Sequence, residues 1–357
     1  MDSRIGRLRA KTAASGLEGL LVVNSLNRYY LSGFSGSAGI LLVDSKRVIL
    51  VTDGRYTEQA RMECPGIEIL EAKRLWPDGV SQAIVESGIR RVGLESKSVS
   101  HEEWVKLSEA LEDVTLVPVV DLVEELRMIK EPAEVVLIRE AVRLVDEAFA
   151  ACLPFLRPGV KERDWALDLE FTLRRRGAQR AAFDFIVASG WRSALPHGAA
   201  GDKEVQQGDL VVVDCGAVCK HYCSDFTRTI AVGGSVPWQE KMYGAVLAAQ
   251  KAAIAAVHPG IEAGEIDRAA RSVLESYGFG GAFAHSTGHG LGLAVHEEPR
   301  LAEGVRTPLQ PGMVITVEPG VYLPGQGGVR IEDVVVVTDD GAEVLTKTPK
   351  NSLLCVG

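Results

Sequence analysis

The sequence predicts an α/β layer followed by a larger second domain built from two similar halves, and three features carry that prediction. Strand and helix signals alternate through the N-terminal third, which implies a sheet covered by helices. After Leu126-Arg127-Met128-Ile129-Lys130-Glu131, Pro132 fits the first turn of a new helix with its own apolar pattern. Two later stretches then repeat one design, an apolar strand that runs into a carboxylate and a return segment that presents a second one. These features divide the chain into domains at 1–128 and 129–357.

In chain order, Arg4 to Ser15 predicts a basic amphipathic helix and Gly19 to Val23 a strand. Gly39 to Val43 and Arg47 to Val51 predict a hairpin around Asp44-Ser45-Lys46. A helix at Tyr56 to Met62, a strand at Ile67 to Leu70, a helix at Gly79 to Ser87 and a strand at Arg91 to Leu94 follow. The helix from Ser100 to Leu111 opens on a Ser-x-x-Glu capping box, Ser100 with Glu103. Beyond Pro132, apolar residues recur at Val135, Val136, Ile138, Ala141, Val142, Val145 and Phe149, one helical face. Helices at Lys161 to Arg176, Pro237 to Val257 and Glu265 to Tyr277 alternate with the two carboxylate hairpins.

Composition narrows the function classes. The 357 residues, 46% hydrophobic and 24% charged, suffice for two cores without disulfide staples. A net charge of -9 and a pI near 5.4 argue against general affinity for nucleic acid or anionic membrane. No run approaches the ~18 apolar residues of a membrane span, and the basic N-terminus lacks the apolar stretch of a signal peptide, so a cytoplasmic protein is expected. Six scattered cysteines suit a reducing compartment. Cys215, Cys219 and Cys223 fall four apart and could share one side of a strand, but the spacing is wrong for structural zinc, and buried thiols are expected.

The chemistry concentrates in the repeated stretches. Gly208 to Val213 leads to Asp214, with Asp225 following in Tyr222-Cys223-Ser224-Asp225-Phe226-Thr227-Arg228; Gly312 to Val317 leads to Glu318, with Glu332 following in Gly328-Val329-Arg330-Ile331-Glu332-Asp333. Taken singly, each acid could be a turn residue. Buried acids are costly without a cation, and four at matching points would balance two divalent ions. Between them lies His285-Ser286-Thr287-Gly288-His289-Gly290-Leu291-Gly292, and His289 adds an imidazole. Oxygen ligands with one imidazole suit Mn(II), Co(II), Zn(II) or Fe(II). The Gly288-x-Gly290-x-Gly292 spacing lacks the strand and acidic partner of a dinucleotide fingerprint.

The order Asp, Asp, His, Glu, Glu in these contexts resembles the metal-dependent Xaa-Pro peptidases, aminopeptidase P and prolidase, of the creatinase/methionine aminopeptidase pita-bread superfamily. The likeness extends to Asn27 to Gly39 and to Thr52-Asp53-Gly54-Arg55-Tyr56, typical of the creatinase-like first domain. It implies an α/β creatinase-like N-terminal domain and an α+β pita-bread catalytic domain with pseudo-twofold halves. Asp214 would chelate one metal, Asp225 and Glu332 would bridge both, and His289 and Glu318 would complete the other. The implied cofactor is two divalent ions, Mn(II) first, with Co(II) or Zn(II) as alternatives. Two ions sharing bridging carboxylates lower the pKa of a water held between them and polarise a peptide carbonyl.

By the same resemblance, Glu318 is a candidate proton shuttle. His197 and His296 match positions that line the substrate site and can donate to the oxyanion or the substrate backbone. His285 matches a position near the scissile bond, with a structural hydrogen-bonded role as the alternative. Arg330 would orient a ligand carboxylate or meet the substrate's C-terminal carboxylate. The implied reaction is hydrolysis of the bond between an N-terminal residue and proline, in Xaa-Pro dipeptides or longer Xaa-Pro peptides, by a homodimer with no nucleic-acid or membrane partner. Proline preference comes from the resemblance alone, although a tertiary amide without an N–H does call for a specialised site.

One departure stands out. Many relatives have Gly-Leu-Glu before the motif's second histidine, whereas this chain has Gly292-Leu293-Ala294-Val295-His296, which spares the five ligands but puts a local contact in doubt. A creatinase-like amidinohydrolase needs no metal, a methionine aminopeptidase leaves the first domain unexplained, and a non-catalytic peptide- or protein-binding relative would have lost its ligands. The complete ligand set argues against the first and, with His197 and His296, against the third, while the creatinase-like first domain argues against the second.

Overall fold

The computed structural model describes residues 2–357. The chain forms two compact units, Met1–Arg127 and Met128–Gly357. Among the described residues no helix is long and apolar enough to cross a membrane.

The first unit contains α1 (Asp2–Ala14), β1 (Gly19–Val22), α2 (Ser25–Ser32), β2 (Ile40–Asp44), β3 (Val48–Thr52), α3 (Thr57–Glu63), β4 (Glu68–Glu71), α4 (Val80–Ser87), β5 (Arg91–Glu95), α5 (His101–Ala110) and β6 (Thr115–Val119). Its single sheet runs β4-β3-β2-β1-β5-β6. The β2–β3 hairpin pairs Ile40 with Val51 through Val43 with Val48, joining the two continuous apolar runs on either side of Asp44-Ser45-Lys46. Ser100 and Glu103 form the reciprocal capping box that starts α5.

Helix α2 was not anticipated from apolar periodicity, because its buried face carries Asn27, Arg28 and Ser32 beside Tyr30 and Leu31. Asn24 caps it by accepting from the amides of Leu26 and Asn27, and Gly33 ends it with φ 78°. The Arg28 guanidinium donates to the carbonyls of Gly36 and Gly39, so the glycine-rich segment is a turn wrapped on an arginine. Arg55 pairs with Asp53, and the Tyr56 hydroxyl meets that of Ser37 at 2.6 Å.

A short helix, α6 (Glu124–Met128), spans the boundary, and α7 (Pro132–Cys152) opens the second unit with Pro132 at its first turn. Ile138, Ala141, Val142, Val145 and Phe149 face the core as the helical period predicts, whereas Val136 is 62% exposed. The first half continues with α8 (Glu162–Arg175), β7 (Arg180–Ala181), β8 (Ile186–Ser189), β9 (Leu210–Asp214), β10 (Ala217–Cys219), β11 (Tyr222–Cys223) and β12 (Thr227–Val232). The second half holds α9 (Pro237–Ala256), α10 (Ala263–Ser276), β13 (Gly288–Gly290), β14 (Glu297–Leu301), β15 (Val314–Val317), β16 (Gly320–Leu323), β17 (Gly327–Arg330), β18 (Asp333–Val337) and β19 (Ala342–Val344). The C-terminal β20 (Leu354–Val356) returns to pair in parallel with β12.

Sheet order repeats between the halves, β12-β9-β8 in one and β18-β15-β13 in the other. Both faces of β9 and β12 are covered: Val211, Val213, Ile230 and Val232 pack in one core, while Leu210 and Ala231 pack in the other. That double burial explains why these strands are continuous apolar runs.

The carboxylate stretches are more elaborate than hairpins. The long pairs β9–β12 and β15–β18 each enclose a smaller one, β10–β11 and β16–β17. Gly208 and Gly312 adopt φ 84° and 88° at matching turns. Their amides donate to Val232 and Val337, while the amides of Val232 and Val337 donate back to Asp209 and Met313. This registration sets Asp214 opposite Thr227 and, one step beyond Val317 opposite Asp333, Glu318 opposite Glu332. The first acids are therefore equivalent, but the second are not. Glu332 matches Thr227, and Asp225 matches Arg330. The cysteines are also corrected: Cys219 and Cys223 lie on adjacent strands either side of a left-handed turn at Lys220-His221, and Cys215 precedes both, so the three do not share one strand face.

Candidate metal centre

Each first acid sits where a buried strand ends, and each second acid just before the return strand begins. His289 is held on β13, which pairs with β15, so five residues from distant parts of the sequence converge. His289 Nε2 lies 3.2 Å from Glu318 Oε1 and 3.6 Å from Asp225 Oδ2. Ligand atoms of Asp225, His289 and Glu332 all fall within 4.8 Å of one another. With metal–ligand bonds of about 2.0–2.2 Å, ligands of one ion stand at separations of that scale.

Asp214 stands apart from that trio, in an ion pair at 2.6 Å with the buried Arg330. Arg330 also donates to the Tyr322 hydroxyl at 2.9 Å, to Thr227 Oγ1 at 3.1 Å and to the Pro196 carbonyl at 3.3 Å. Thr227 in turn donates to Glu332 Oε2 at 2.7 Å, and Thr316 to Glu318 Oε1 at 3.1 Å. Thus Arg330 holds the Asp214 carboxylate in place. Its charge also offsets one acid, so a simple balance of four acids against two ions no longer holds.

Two oxygens show that something is meant to meet these acids. Asp214 Oδ1 and Glu332 Oε1 are buried with no hydrogen-bond partner among the described residues. Such orphans are costly, and a cation is the partner that a carboxylate oxygen accepts best in an acidic pocket. Burial pushes the carboxyls of Asp225 and Glu332 well above the ordinary range, with Asp214 adding to the first and Asp225 to the second. Asp214 is raised by burial too, against the pull of Arg330. Burial works against the His289 cation, yet the hydrogen bond and charge of Glu318, with Asp225, push it up to about 9. Glu318 would be raised by burial, but His289 holds it below its usual value. His289 Nδ1 donates to the Gly290 carbonyl at 2.9 Å, leaving Nε2 to face the acids as a ligand nitrogen should. The donor set therefore fits a divalent cation.

The other predicted histidines divide. His296 is stacked edge-on to His289 with ring centroids 4.4 Å apart, and burial and His289 lower its pKa. His197 is exposed and follows Pro196, whose carbonyl Arg330 holds. His285 lies between Tyr322 and its own neighbour, Nε2 at 2.9 Å from the Tyr322 hydroxyl and Nδ1 at 2.9 Å from the Ser286 carbonyl. Burial lowers its pKa. A chain His285–Tyr322–Arg330–Asp214 results, in which Arg330 donates to the phenol and leaves its proton for His285.

Tyr322, Thr227 and Thr316 were missed by sequence reasoning. Strand alternation gave a signal for two of them, since Thr227 lies two residues after Asp225 and Thr316 two residues before Glu318, each sharing the acid's face. Tyr322 gave none, because it belongs to the unforeseen inner pair β16–β17. At the departure from the usual motif, Glu297 Oε1 accepts from the Ala294 amide at 3.0 Å and Oε2 pairs with buried Lys130 at 3.1 Å, so an acid braces this loop from its other end.

The glycines around His289 serve close packing. A methyl on Gly288 would lie 2.0 Å from the Thr316 carbonyl oxygen, and one on Gly290 2.2 Å from that of Glu298. Gly288→Ala should therefore push β13 off β15 and displace His289. Overpacking of this kind costs about 1–3 kcal/mol, read as a fall of roughly 2–4 °C per kcal/mol in the metal-free thermal midpoint. An unchanged midpoint would contradict the tight approach.

Residues 136–339 match the model of metallopeptidase family M24, and residues 4–129 that of the Creatinase/Prolidase N-terminal domain. An Xaa-Pro dipeptidase of Pyrococcus horikoshii is 40% identical over 98% of this chain and 98% of its own length. The uncharacterized peptidase YqhT of Bacillus subtilis is 42% identical over 98% and 99%. Among solved structures, an Xaa-Pro dipeptidase from Bacillus anthracis superposes with a TM-score of 0.96 at 44% identity, covering 99% of both chains. An X-Pro aminopeptidase from Thermotoga maritima gives 0.92 at 37%, covering 99% of this chain and 100% of its own. The expected creatinase-like and pita-bread architecture is thereby borne out, as is a divalent-metal peptidase. The chain belongs to metallopeptidase family M24 and carries the Creatinase/Prolidase N-terminal domain.

Proposed function

We propose that this enzyme hydrolyses the bond between an N-terminal residue and proline, using two divalent ions held by Asp214, Asp225, His289, Glu318 and Glu332. The observation that supports the reading is the convergence of Asp225, His289, Glu318 and Glu332, with buried carboxylate oxygens of Glu332 and of Asp214 left without partners among the described residues. Substrate class follows from relatives described as Xaa-Pro dipeptidases and an X-Pro aminopeptidase. When bound, the ions would polarise the scissile carbonyl and make an attacking water more acidic. Asp225 and Glu332 would be shared, Asp214 would serve one ion, and His289 with Glu318 the other.

Within that frame, Glu318 Oε accepts the nucleophile's proton and passes it to the leaving nitrogen. The proline nitrogen, like any amide nitrogen, must gain this proton to leave as an amine. His296, kept neutral by burial and the neighbouring His289, can donate to the substrate carbonyl oxygen, and His197 to the substrate backbone. His285 holds Tyr322 and, through it, Arg330. Mn(II) is the expected metal, with Co(II) or Zn(II) as alternatives, and a cytoplasmic homodimer the expected form.

Metal-loaded protein assayed on Xaa-Pro dipeptides and on Xaa-Pro-Yaa peptides tests this directly. Cleavage abolished by a chelator and restored by Mn(II) is expected, and the preferred length separates dipeptidase from aminopeptidase. Absence of chelator-sensitive cleavage of either peptide would refute it. Metal content per chain, measured on the active protein, decides between one ion and two.

A further inference from the structure

Immediately after Glu332 comes Asp333, a fully buried acid that no step above uses. It meets two cations. Arg228 donates to its Oδ1 at 2.8 Å, and Lys350 donates to its Oδ2, which also accepts from Gln250 at 2.8 Å. Lys350 closes the ring by donating to Gln250 Oε1 at 2.7 Å. The Nη groups of Arg228 also donate to backbone, to the carbonyl of Thr227 at 2.9 Å, that of Glu332, and that of Thr348 at 2.7 Å, while its buried Nε has no hydrogen-bond partner among the described residues. Its side chain is 1% exposed.

The position of this cluster is set by the repeat. Arg228 lies opposite Val213 and Asp333 opposite Val317, so they occupy equivalent places in the two halves. One residue earlier, Thr227 and Glu332 are also equivalent and also bonded to each other. Equivalent positions can meet only beside the axis that relates the halves. Two successive contacts of this kind clamp β12 to β18 there, and the Glu332 amide adds a third by donating to the Thr227 carbonyl at 3.1 Å. A carboxylate ligand is oriented by the backbone that carries it, and here one guanidinium grips the carbonyls of both Thr227 and Glu332.

We propose that Arg228, Asp333 and Lys350 form a positioning cluster for the metal centre, through which the segment bearing Thr348 and Lys350 supports Glu332. This rests on the reading of Glu332 as a metal ligand. The planar fork of Arg228 serves four acceptors at once, a task that a lysine cannot perform. Lys350 neutralises the second oxygen of Asp333, so without it that acid would be free to pull Arg228 out of register.

The test is titration of the metal-free protein with Mn(II), and with Co(II) in parallel, by calorimetry. Lys350→Met, Lys350→Arg and Arg228→Lys are compared with the unaltered chain, alongside metal-free thermal midpoints and circular dichroism. Lys350→Met and Arg228→Lys should weaken metal binding about 10–100-fold, the effect expected of residues that orient a ligand. Lys350→Arg should recover most of it, and kcat of Lys350→Met should return at saturating metal. Should Arg228→Lys fail to fold, Lys350→Met at the 17%-exposed rim still carries the comparison. Lowered midpoints with unchanged metal affinity would mean a structural role only and overturn the proposal. An unaltered chain that takes up neither ion would overturn the metal reading as well.

Discussion

Replacing Asp225 with asparagine is expected to cut turnover severely while making the metal-free protein more stable. The two effects have one cause. Asp225 is buried beside Asp214, and both circumstances push its carboxyl well above the ordinary range. A carboxyl that resists ionisation costs folding free energy at neutral pH, and an amide of the same shape removes that cost. Relief should raise the metal-free midpoint by roughly 2–4 °C per kcal/mol recovered. With metal the sign reverses if Asp225 is the ligand proposed above, because the ion then loses a carboxylate. Charge stabilisation by a bound ion is worth several kcal/mol, so a fall of about 10³-fold in kcat/KM is expected. Circular dichroism, melts with and without Mn(II), and Xaa-Pro hydrolysis read all three consequences. A variant that binds and turns over like the parent would remove Asp225 from the ligand set; one that is less stable without metal would mean that it is a structural acid.

Much of this centre was legible because strands ending in acids are improbable without a reason. Asp214 and Glu318 terminate apolar runs at equal distances from Gly208 and Gly312, and the turns at those glycines prove equivalent to the level of individual backbone bonds. The equivalence of the second acids was an error of register. A pairing offset of two residues leaves side chains on the same face, so Asp225 and Glu332 both reach the centre although they occupy different places in the repeat. Sequence spacing could not reveal this, because β10–β11 and β16–β17 intervene with different lengths. Nor could it reveal Arg330 as the partner of Asp214, since that contact spans 116 residues and depends on the two halves facing each other. In the first unit the hairpin and capping box were plain local signals, whereas α2 hid its core face behind asparagine and arginine whose partners lie elsewhere: Asn27 on Glu95 and Glu124, Arg28 on the glycine turn.

Metal affinity should rise steeply with pH. Without metal, His289 is held up to about 9 by Glu318 and Asp225 against the cost of burial, while burial keeps Asp225, Glu332 and Asp214 above their ordinary values. At neutral pH the empty centre therefore holds protons, and a cation can bind only by displacing them. His289 alone contributes close to one proton between pH 6 and 8, so Mn(II) affinity should rise at least about tenfold per pH unit there. For the metal-free fold the linkage runs the other way. A histidine raised above about 6.5 contributes stability that is complete below that value and lost as pH rises through about 9. Carboxyls raised above their unfolded values likewise stabilise most at acid pH and lose that contribution as they ionise; Glu318, held low by His289, is the exception. Metal-free protein should thus lose stability between pH 6 and 9 while the metal-induced gain in midpoint grows. Calorimetry in two buffers of different ionisation enthalpy counts the released protons. If none is released at pH 7, His289 is already neutral and its contacts with Glu318 and Asp225 do not hold a charge, which would leave the acids with no internal cation except Arg330 and make their convergence still harder to sustain without a bound metal.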